Sequence, residues 1–353
     1  MTTASPSTYY TLARGVDIVP VGAETVLFRS DAVAFSLEGA SAVAFAERVL
    51  PLLDGSRSLI EVAEKLPHIG EPELRAHLDA LVNAHVLVRS AAPRPTAGFR
   101  GIAEPFHALL ETMGLPRESV VERLGALHVV VFGLEGAGAH VADALARAGA
   151  GQLTLVDPFP CRKEDLAAMP SAAGSASGTS RQDVMRAAIE SIGSDARVVI
   201  GPADALEKDA VHELARGASL LVGAFDRSFS AAHQWINRAS LDLGVPALYG
   251  QVHGHRAIAG PLVIPEETAC YLCWRMRALA CEEDFAGAMA YEEHLDARRT
   301  PSGAERPIFP SVPGYLGSVL AMEALRMLLA LGTLALAGRV QEFDALTGAA
   351  TMH

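Results

Sequence analysis

Hydrophobic and polar positions alternate with a period of two in three short runs near the start of the chain, and then the period lengthens. Val16, Ile18 and Val21 predict a first strand, residues 26–28 a second and residues 33–37 a third, with turn chemistry at Gly22 and at Ser30-Asp31. From Ser41 the spacing becomes helical, carrying Val43, Phe45, Ala46, Val49 and Leu50 on one face until Pro51 to Gly55 stops it. Ser58 caps a second helix through Leu59, Val62, Ala63 and Leu66. Glu71-Pro72 starts a third, with Leu74, Leu78, Leu81 and Val82 on one face. Residues 86–88 read as a closing strand. Three strands and three helices predict a winged-helix-like module over residues 1–90.

The stretch SAAPRPTAG at 90–98 is small and proline-containing, which places a linker and connecting helices over 91–126. From residue 127 to 353 strand and helix alternate. Strands are expected at 127–132, 152–157, 197–200, 220–225, 247–252 and 340–343, and helices at 139–148, 181–192, 203–216, 230–243 and 315–331. That alternation predicts an α/β domain, a doubly wound and mostly parallel sheet covered on both faces.

Composition narrows the classes of function. Half of the 353 residues are hydrophobic and a fifth are charged, the balance of a globular chain that buries a core. The formal net charge of -12 disfavours nucleic acid and anionic membrane as partners. Residues 1–90 hold seven Arg or Lys against eleven Asp or Glu, and the third helix carries Glu71, Glu73 and Asp79 against Arg75. A DNA-reading helix takes much of its affinity from phosphate contacts, so an acidic one argues against a transcriptional sensor. The longest apolar stretch, 325–337, is interrupted by Arg326 and Gly332 and is short for a bilayer. No basic segment followed by an apolar one opens the chain, so the expectation is a cytoplasmic protein with reduced cysteines.

Gly133-Leu134-Glu135-Gly136-Ala137-Gly138 lies between an expected strand and helix, where bare backbone N–H groups and a helix N-terminus can hold a nucleotide phosphate. Asp157 ends the next strand, where a carboxylate can hold a ribose hydroxyl. Packing alone is the bland reading of these glycines. Around them, from about 127 to 346, the chain resembles the ThiF-like family, related to ubiquitin-activating enzymes. The resemblance rests on this turn, Ala148-Gly149-Ala150-Gly151, Val156-Asp157-Pro158, Ala224-Phe225-Asp226, Tyr249-Gly250-Gln251, Cys270-Tyr271-Leu272-Cys273 and Pro313-Gly314-Tyr315-Leu316-Gly317. It implies an adenylyltransferase-type fold and a homodimer. In active members it implies that Gly133, Gly136 and Gly138 take phosphates, Asp157 the ribose and Asp226 magnesium.

Two departures alter that expectation. The family has glycine where Glu135 stands, and a carboxylate there adds bulk and like charge before the phosphates. The family's Ser-Asn-Leu-x-Arg-Gln corresponds to Glu164-Asp165-Leu166-Ala167-Ala168-Met169, which lacks the arginine, and Arg181 stands nearest the place of a family lysine. Losing cations that stabilise phosphoryl transfer removes most of the chemistry. The expectation is a retained fold with a decayed site and no use of ATP or magnesium, with Asp226 the catalytic residue only if the site is active. Nicotinamide binding is disfavoured by the same Glu135.

Cys270 and Cys273 are the expected metal ligands. The family resemblance implies structural zinc shared with a second Cys-x-x-Cys near the C-terminus, and no second pair is present here. Zinc completed by another ligand, two packed reduced thiols and a redox-active disulfide all remain open.

The first module resembles the PqqD-like precursor-recognition elements of ribosomally made, modified peptides. That resemblance implies that a leader peptide adds as an extra strand beside Val33, Ala34, Phe35, Ser36 and Leu37, with Leu74, His77, Leu78 and Leu81 lining a groove. Core packing is an equal reading of the three leucines. A recognition module joined to a ThiF-like domain is similar to the partner proteins of azoline-forming biosynthesis. The resulting expectation is a non-catalytic subunit that binds the leader and presents the peptide to a YcaO-type cyclodehydratase. The rival is an ATP-dependent adenylyltransferase acting on a peptide or carrier-protein carboxylate.

Overall fold

In a computed structural model the chain divides into two compact units, Met1–Val121 and Glu122–His353. The structure describes residues 7–31, 33–93, 101–163, 165–169, 178–202, 206–225, 230–297 and 307–353.

Strand β1 (Tyr9–Leu12) opens the first unit and is followed by β2 (Asp17–Val21), β3 (Thr25–Arg29) and β4 (Ala34–Glu38), then α1 (Ala42–Arg48). Next come β5 (Asp54–Ser58), α2 (Leu59–Glu64), α3 (Glu71–Asn83), β6 (Leu87–Ser90) and α4 (Glu104–Thr112). The expected meander is present as an antiparallel sheet in the order β2-β3-β4. The Ser58 cap is a full capping box: its hydroxyl accepts from the Glu61 N–H, and the Glu61 carboxylate accepts from the Ser58 N–H. A second sheet, β5-β1-β6, was not foreseen. Its strand β5 reads Asp-Gly-Ser-Arg-Ser, with no apolar alternation to announce it, and is formed only through antiparallel pairing with β1. Val26 and Phe28 of β3 meet Leu74, Leu78 and Leu81 of α3 in one buried core.

The division between units falls inside α5 (Arg117–Gly125). The second unit continues with β7 (His128–Phe132), α6 (Ala137–Ala148), β8 (Gln152–Val156), α7 (Arg181–Ser191), β9 (Arg197–Ile200), α8 (Lys208–Ala215) and β10 (Leu220–Phe225). Then follow α9 (Ser230–Leu243), β11 (Ala247–His253), β12 (Arg256–Val263), α10 (Tyr271–Ala280), α11 (Phe285–Ala297), α12 (Val312–Leu329), β13 (Gln341–Asp344) and β14 (Ala350–Met352). The eight strands form one sheet, β14-β13-β12-β11-β10-β7-β8-β9. Strands β9 to β11 in that order are parallel, as expected, while β12, β13 and β14 extend it antiparallel. Side chains of β7 alternate between two cores: Val129 and Val131 pack with α6 and α12, Val130 and Phe132 with α8 and α9.

The long apolar helix is α12 rather than the 325–337 stretch. It is long and apolar enough to cross a membrane by length and composition, yet half of it is buried, with Leu316, Leu320 and Ala324 packed in the core against α6.

Chain order leaves β7 toward β8 and β9, then returns to the opposite side of β7 for β10 and β11. The crevice between the ends of β7 and β10 is therefore the switch point where doubly wound sheets place ligands. At its lip the turn from β7 into α6 is very tight. A Cβ on Gly138 would lie 1.8 Å from the Gly133 carbonyl oxygen, and Gly133 itself sits at φ +86 with a Cβ position 2.7 Å from the Phe225 ring. Gly138→Ala must push backbone apart, and its expected cost is about 2 kcal/mol or more. Urea denaturation of the variant beside wild type measures this, and an unchanged midpoint contradicts the packing.

Candidate functional site

The glycine turn, Asp157 and Arg181 converge in the second unit as the sequence led one to expect, but they bind one another. Asp157 follows β8 and is buried. One carboxylate oxygen accepts from the Leu134 N–H at 2.8 Å, and the other accepts from the Phe159 N–H at 3.3 Å. Gln182 fixes the same segment, accepting from the Asp157 N–H and donating to the Gly201 carbonyl. The carboxylate expected to hold a ribose thus clamps its own turn.

Arg181, the first residue of α7, is fully buried and is the hub of the site. Its Nη1 lies 3.3 Å from Glu135 Oε1 and 3.4 Å from Asp157 Oδ1, and its Nε donates to Asp165 Oδ2 at 2.9 Å. Arg162 adds a second cation, with its Nη2 3.3 Å from Asp165 Oδ1. Burial pushes the Asp157 carboxyl up to about 6 against the pull of Arg181. Asp165 meets the same burial, yet the hydrogen bond and charge of Arg181 hold it below the ordinary carboxylate range. Among the described residues three carboxylates, Glu135, Asp157 and Asp165, face two guanidinium groups, Arg181 and Arg162.

Glu135 therefore does more than crowd the turn, the role expected from sequence. It occupies one arm of the buried Arg181 guanidinium. Asp165 was missed as a site residue, although it lies in the very stretch that lacks the expected arginine. Gly136 is the N-cap of α6. Asp226 directly follows the last residue of β10 and lies outside the described residues.

In the first unit β4 is an edge strand, paired with β3 alone among the described strands. The flanking bonds, Ser30 N–H to the Val33 carbonyl and Gly39 N–H to the Glu24 carbonyl, set the alternation of the hairpin. By that alternation the main-chain groups of Val33, Phe35 and Leu37 face β3, while those of Ala34, Ser36 and Glu38 face outward. Leu74, Leu78 and Leu81 do not line a groove. They are buried in the core, where α3 packs against β6 and α2, and Phe35 and Leu37 pack against the same cluster. His77 is exposed and lies edge-on to Phe45, ring centroids 6.4 Å apart.

Cys270 is the N-cap of α10 and Cys273 lies in its first turn, rather than in the loop-like stretch expected. The two sulfurs are 3.6 Å apart, with Cys270 half-buried and Cys273 exposed. Burial raises the Cys270 thiol, but hydrogen bonds from Cys273, the Leu272 N–H and the Asn237 side chain outweigh it and bring the thiol below its usual value. Tetrahedral zinc needs four ligands. Cys161 is buried with its sulfur against Met169, and Cys281 caps the far end of α10, about 16 Å away at the helical rise per residue. No group of three or more potential ligands exists among the described residues. The pair does not fit a zinc site built from the described residues.

Beneath α10 and α11, on the face of β11, β12 and β13, lies a cavity of about 810 Å³ that sequence gave no sign of. Gln251, Arg256, Ile258, Trp274, Arg275 and Tyr291 are among its walls. Gln251 donates to His233 Nδ1 at 3.1 Å and to the Tyr271 hydroxyl at 3.2 Å. Burial pushes His233 down to about 3, so that imidazole stays neutral and does not cycle as an acid and base near neutrality.

Removing the hub leaves buried carboxylates without their cation. Arg181→Met is expected to lower unfolding free energy by about 3–5 kcal/mol. Chemical denaturation at neutral pH measures the loss, and a change under about 1 kcal/mol contradicts the role assigned to Arg181.

Residues 108–353 match the ThiF family. SAMP-activating enzyme E1 of Haloferax volcanii is 26% identical over 241 residues, 68% of this chain and 80% of that protein. Molybdopterin-synthase adenylyltransferase of Salmonella typhimurium is 29% identical over 231 residues, 64% of this chain and 82% of that protein. Among solved structures, the microcin C7 biosynthetic enzyme MccB in complex with N-formylated MccA superimposes with a TM-score of 0.67 at 16% identity, covering 98% of this chain and 96% of that one. PaaA superimposes with a TM-score of 0.66 at 12% identity, covering 96% and 98%. These structural likenesses extend the shared fold over both units. Its fold and the span of the family match make this chain a member of the ThiF family.

Proposed function

We propose that this protein captures the leader of a ribosomal precursor peptide on the outer edge of β4 and presents the remainder to a YcaO-type cyclodehydratase that forms azolines. It does so without transferring adenylate itself, as a cytoplasmic homodimer. The observation that carries this reading is the outer edge of β4, which no described strand pairs, with the main-chain groups of Ala34, Ser36 and Glu38 facing outward. An extended peptide adds there by main-chain pairing, and its own side chains give selectivity. Holding the leader raises the local concentration of the modifiable segment at a partner's active site. Glu135 supports the non-catalytic part, since it adds a carboxylate to the turn that triphosphate would have to approach.

Ser36→Pro tests the edge. Proline removes one outward N–H while the β3-facing bonds of Phe35 and Leu37 stay in place. Calorimetry with the full chain and a synthetic leader is expected to show binding that weakens about tenfold or more in the variant, a loss of about 1.4 kcal/mol. Equal affinity in both proteins, with the variant folded by circular dichroism, counts against capture at β4.

A second reading is favoured by the named activity of the sequence relatives, which include a molybdopterin-synthase adenylyltransferase. On it, the chain adenylates a peptide or carrier-protein carboxylate. The two readings part in an ATP–pyrophosphate exchange assay with precursor peptide. The expectation is no peptide-dependent exchange above background. Exchange that Asp226→Asn abolishes overturns the non-catalytic reading in favour of the second.

A further inference from the structure

We propose that Cys270 and Cys273 are a dithiol that exchanges with small-molecule disulfides and closes into an intrachain disulfide at the first turn of α10. Their sulfurs already stand 3.6 Å apart, so the bond forms by rotation of side chains separated by one helical turn. The other two thiols are excluded by position, Cys161 in a separate core and Cys281 at the opposite end of the helix. The same distribution leaves the pair without further thiolates for a tetrahedral metal.

Exposure assigns the order of events. A disulfide from solvent meets exposed Cys273 first: the Cys273 thiolate attacks one sulfur of the reagent, forming a mixed disulfide and expelling one thiolate. Half-buried Cys270 then attacks the Cys273 sulfur, forming the intrachain bond and expelling the second thiolate. Protein dithiol and one reagent disulfide become protein disulfide and two reagent thiols. Two electrons pass to the reagent, and the two protein thiol protons end on the released thiols.

The closed ring spans Tyr271 and Leu272. Tyr271 is held by its N–H donating to Asn237 and by its hydroxyl accepting from Gln251. The following residues, Trp274 and Arg275, are walls of the cavity, and Arg275 is ion-paired with Glu292 of α11. Fixing the first turn of α10 therefore reaches Trp274, one of two tryptophans in the chain.

The test treats the full-length protein with oxidised glutathione and maps its peptides by mass spectrometry. The expected product links Cys270 to Cys273, is lighter by two hydrogens, shifts Trp274 fluorescence in a Trp235→Phe background and reverts with dithiothreitol. Cys270→Ser is expected to trap one glutathione on Cys273, and Cys273→Ser to slow capture by Cys270 at least about tenfold, with both variants checked for folding by circular dichroism. Stoichiometric zinc in the purified protein that Cys273→Ser removes overturns the proposal. So does a folded wild type in which Cys273 is modified no faster than Cys281 and no bridge forms.

Discussion

A guanidinium with no exposure to solvent is sustained only by carboxylates close enough to replace its water, and Arg181 fixes the candidate nucleotide site on those terms. Its three partners come from three places in the chain: Glu135 from the β7–α6 turn, Asp157 from the end of β8 and Asp165 from the segment beyond. One side chain at the start of α7 thus ties together the elements that meet at the switch point of the sheet. Lysine in its place is a single point charge and could not present a planar fork to three separated carboxylates. Arginine at 181 and glutamate at 135 each make the other tolerable in a buried setting.

The first unit poses a different physical problem, an edge. Strand β4 is short and carries Glu38 at one end, which restrains association with other edges, yet its centre offers outward main-chain N–H and carbonyl groups with no partner among the described strands. The half-buried ring and leucine behind it, Phe35 and Leu37, anchor the strand to the core that also buries Leu74, Leu78 and Leu81 of α3. Rigidity of the edge and burial of those leucines are one arrangement.

The parallel half of the large sheet was legible because its strands are short continuous apolar runs, such as residues 129–132 of β7, alternating with helices that keep an apolar stripe, such as α9. Antiparallel β12 was not, because its buried run Ala257 to Val263 contains a Gly260-Pro261 step that reads as a break. Strand β5 was invisible for the opposite reason, a polar sequence made extended by its neighbours. At the site, glycines, Asp157 and Arg181 could be placed from spacing, but their mutual bonding could not, since Asp165 and Arg181 are sixteen positions apart and meet only in three dimensions. The cavity under α10 depends on two helices packing over an antiparallel floor, a relation that no local pattern encodes.

The glycines themselves show why a recognised turn is weak grounds for an activity. Gly133 needs its positive φ and lies against Phe225 and the Ala224 carbonyl, and Gly138 abuts the Gly133 carbonyl. Packing alone demands both, with or without a phosphate in front of them. The informative position is Glu135, where packing leaves room for a side chain and the chain has put a charge. A nucleotide-binding turn needs that position small and neutral so that backbone N–H groups face the anion. Here it delivers a carboxylate to a buried arginine instead. The shared fold is therefore no argument for a chemistry by itself, and function has to be argued from the contacts of Glu135 rather than from the sheet that carries it.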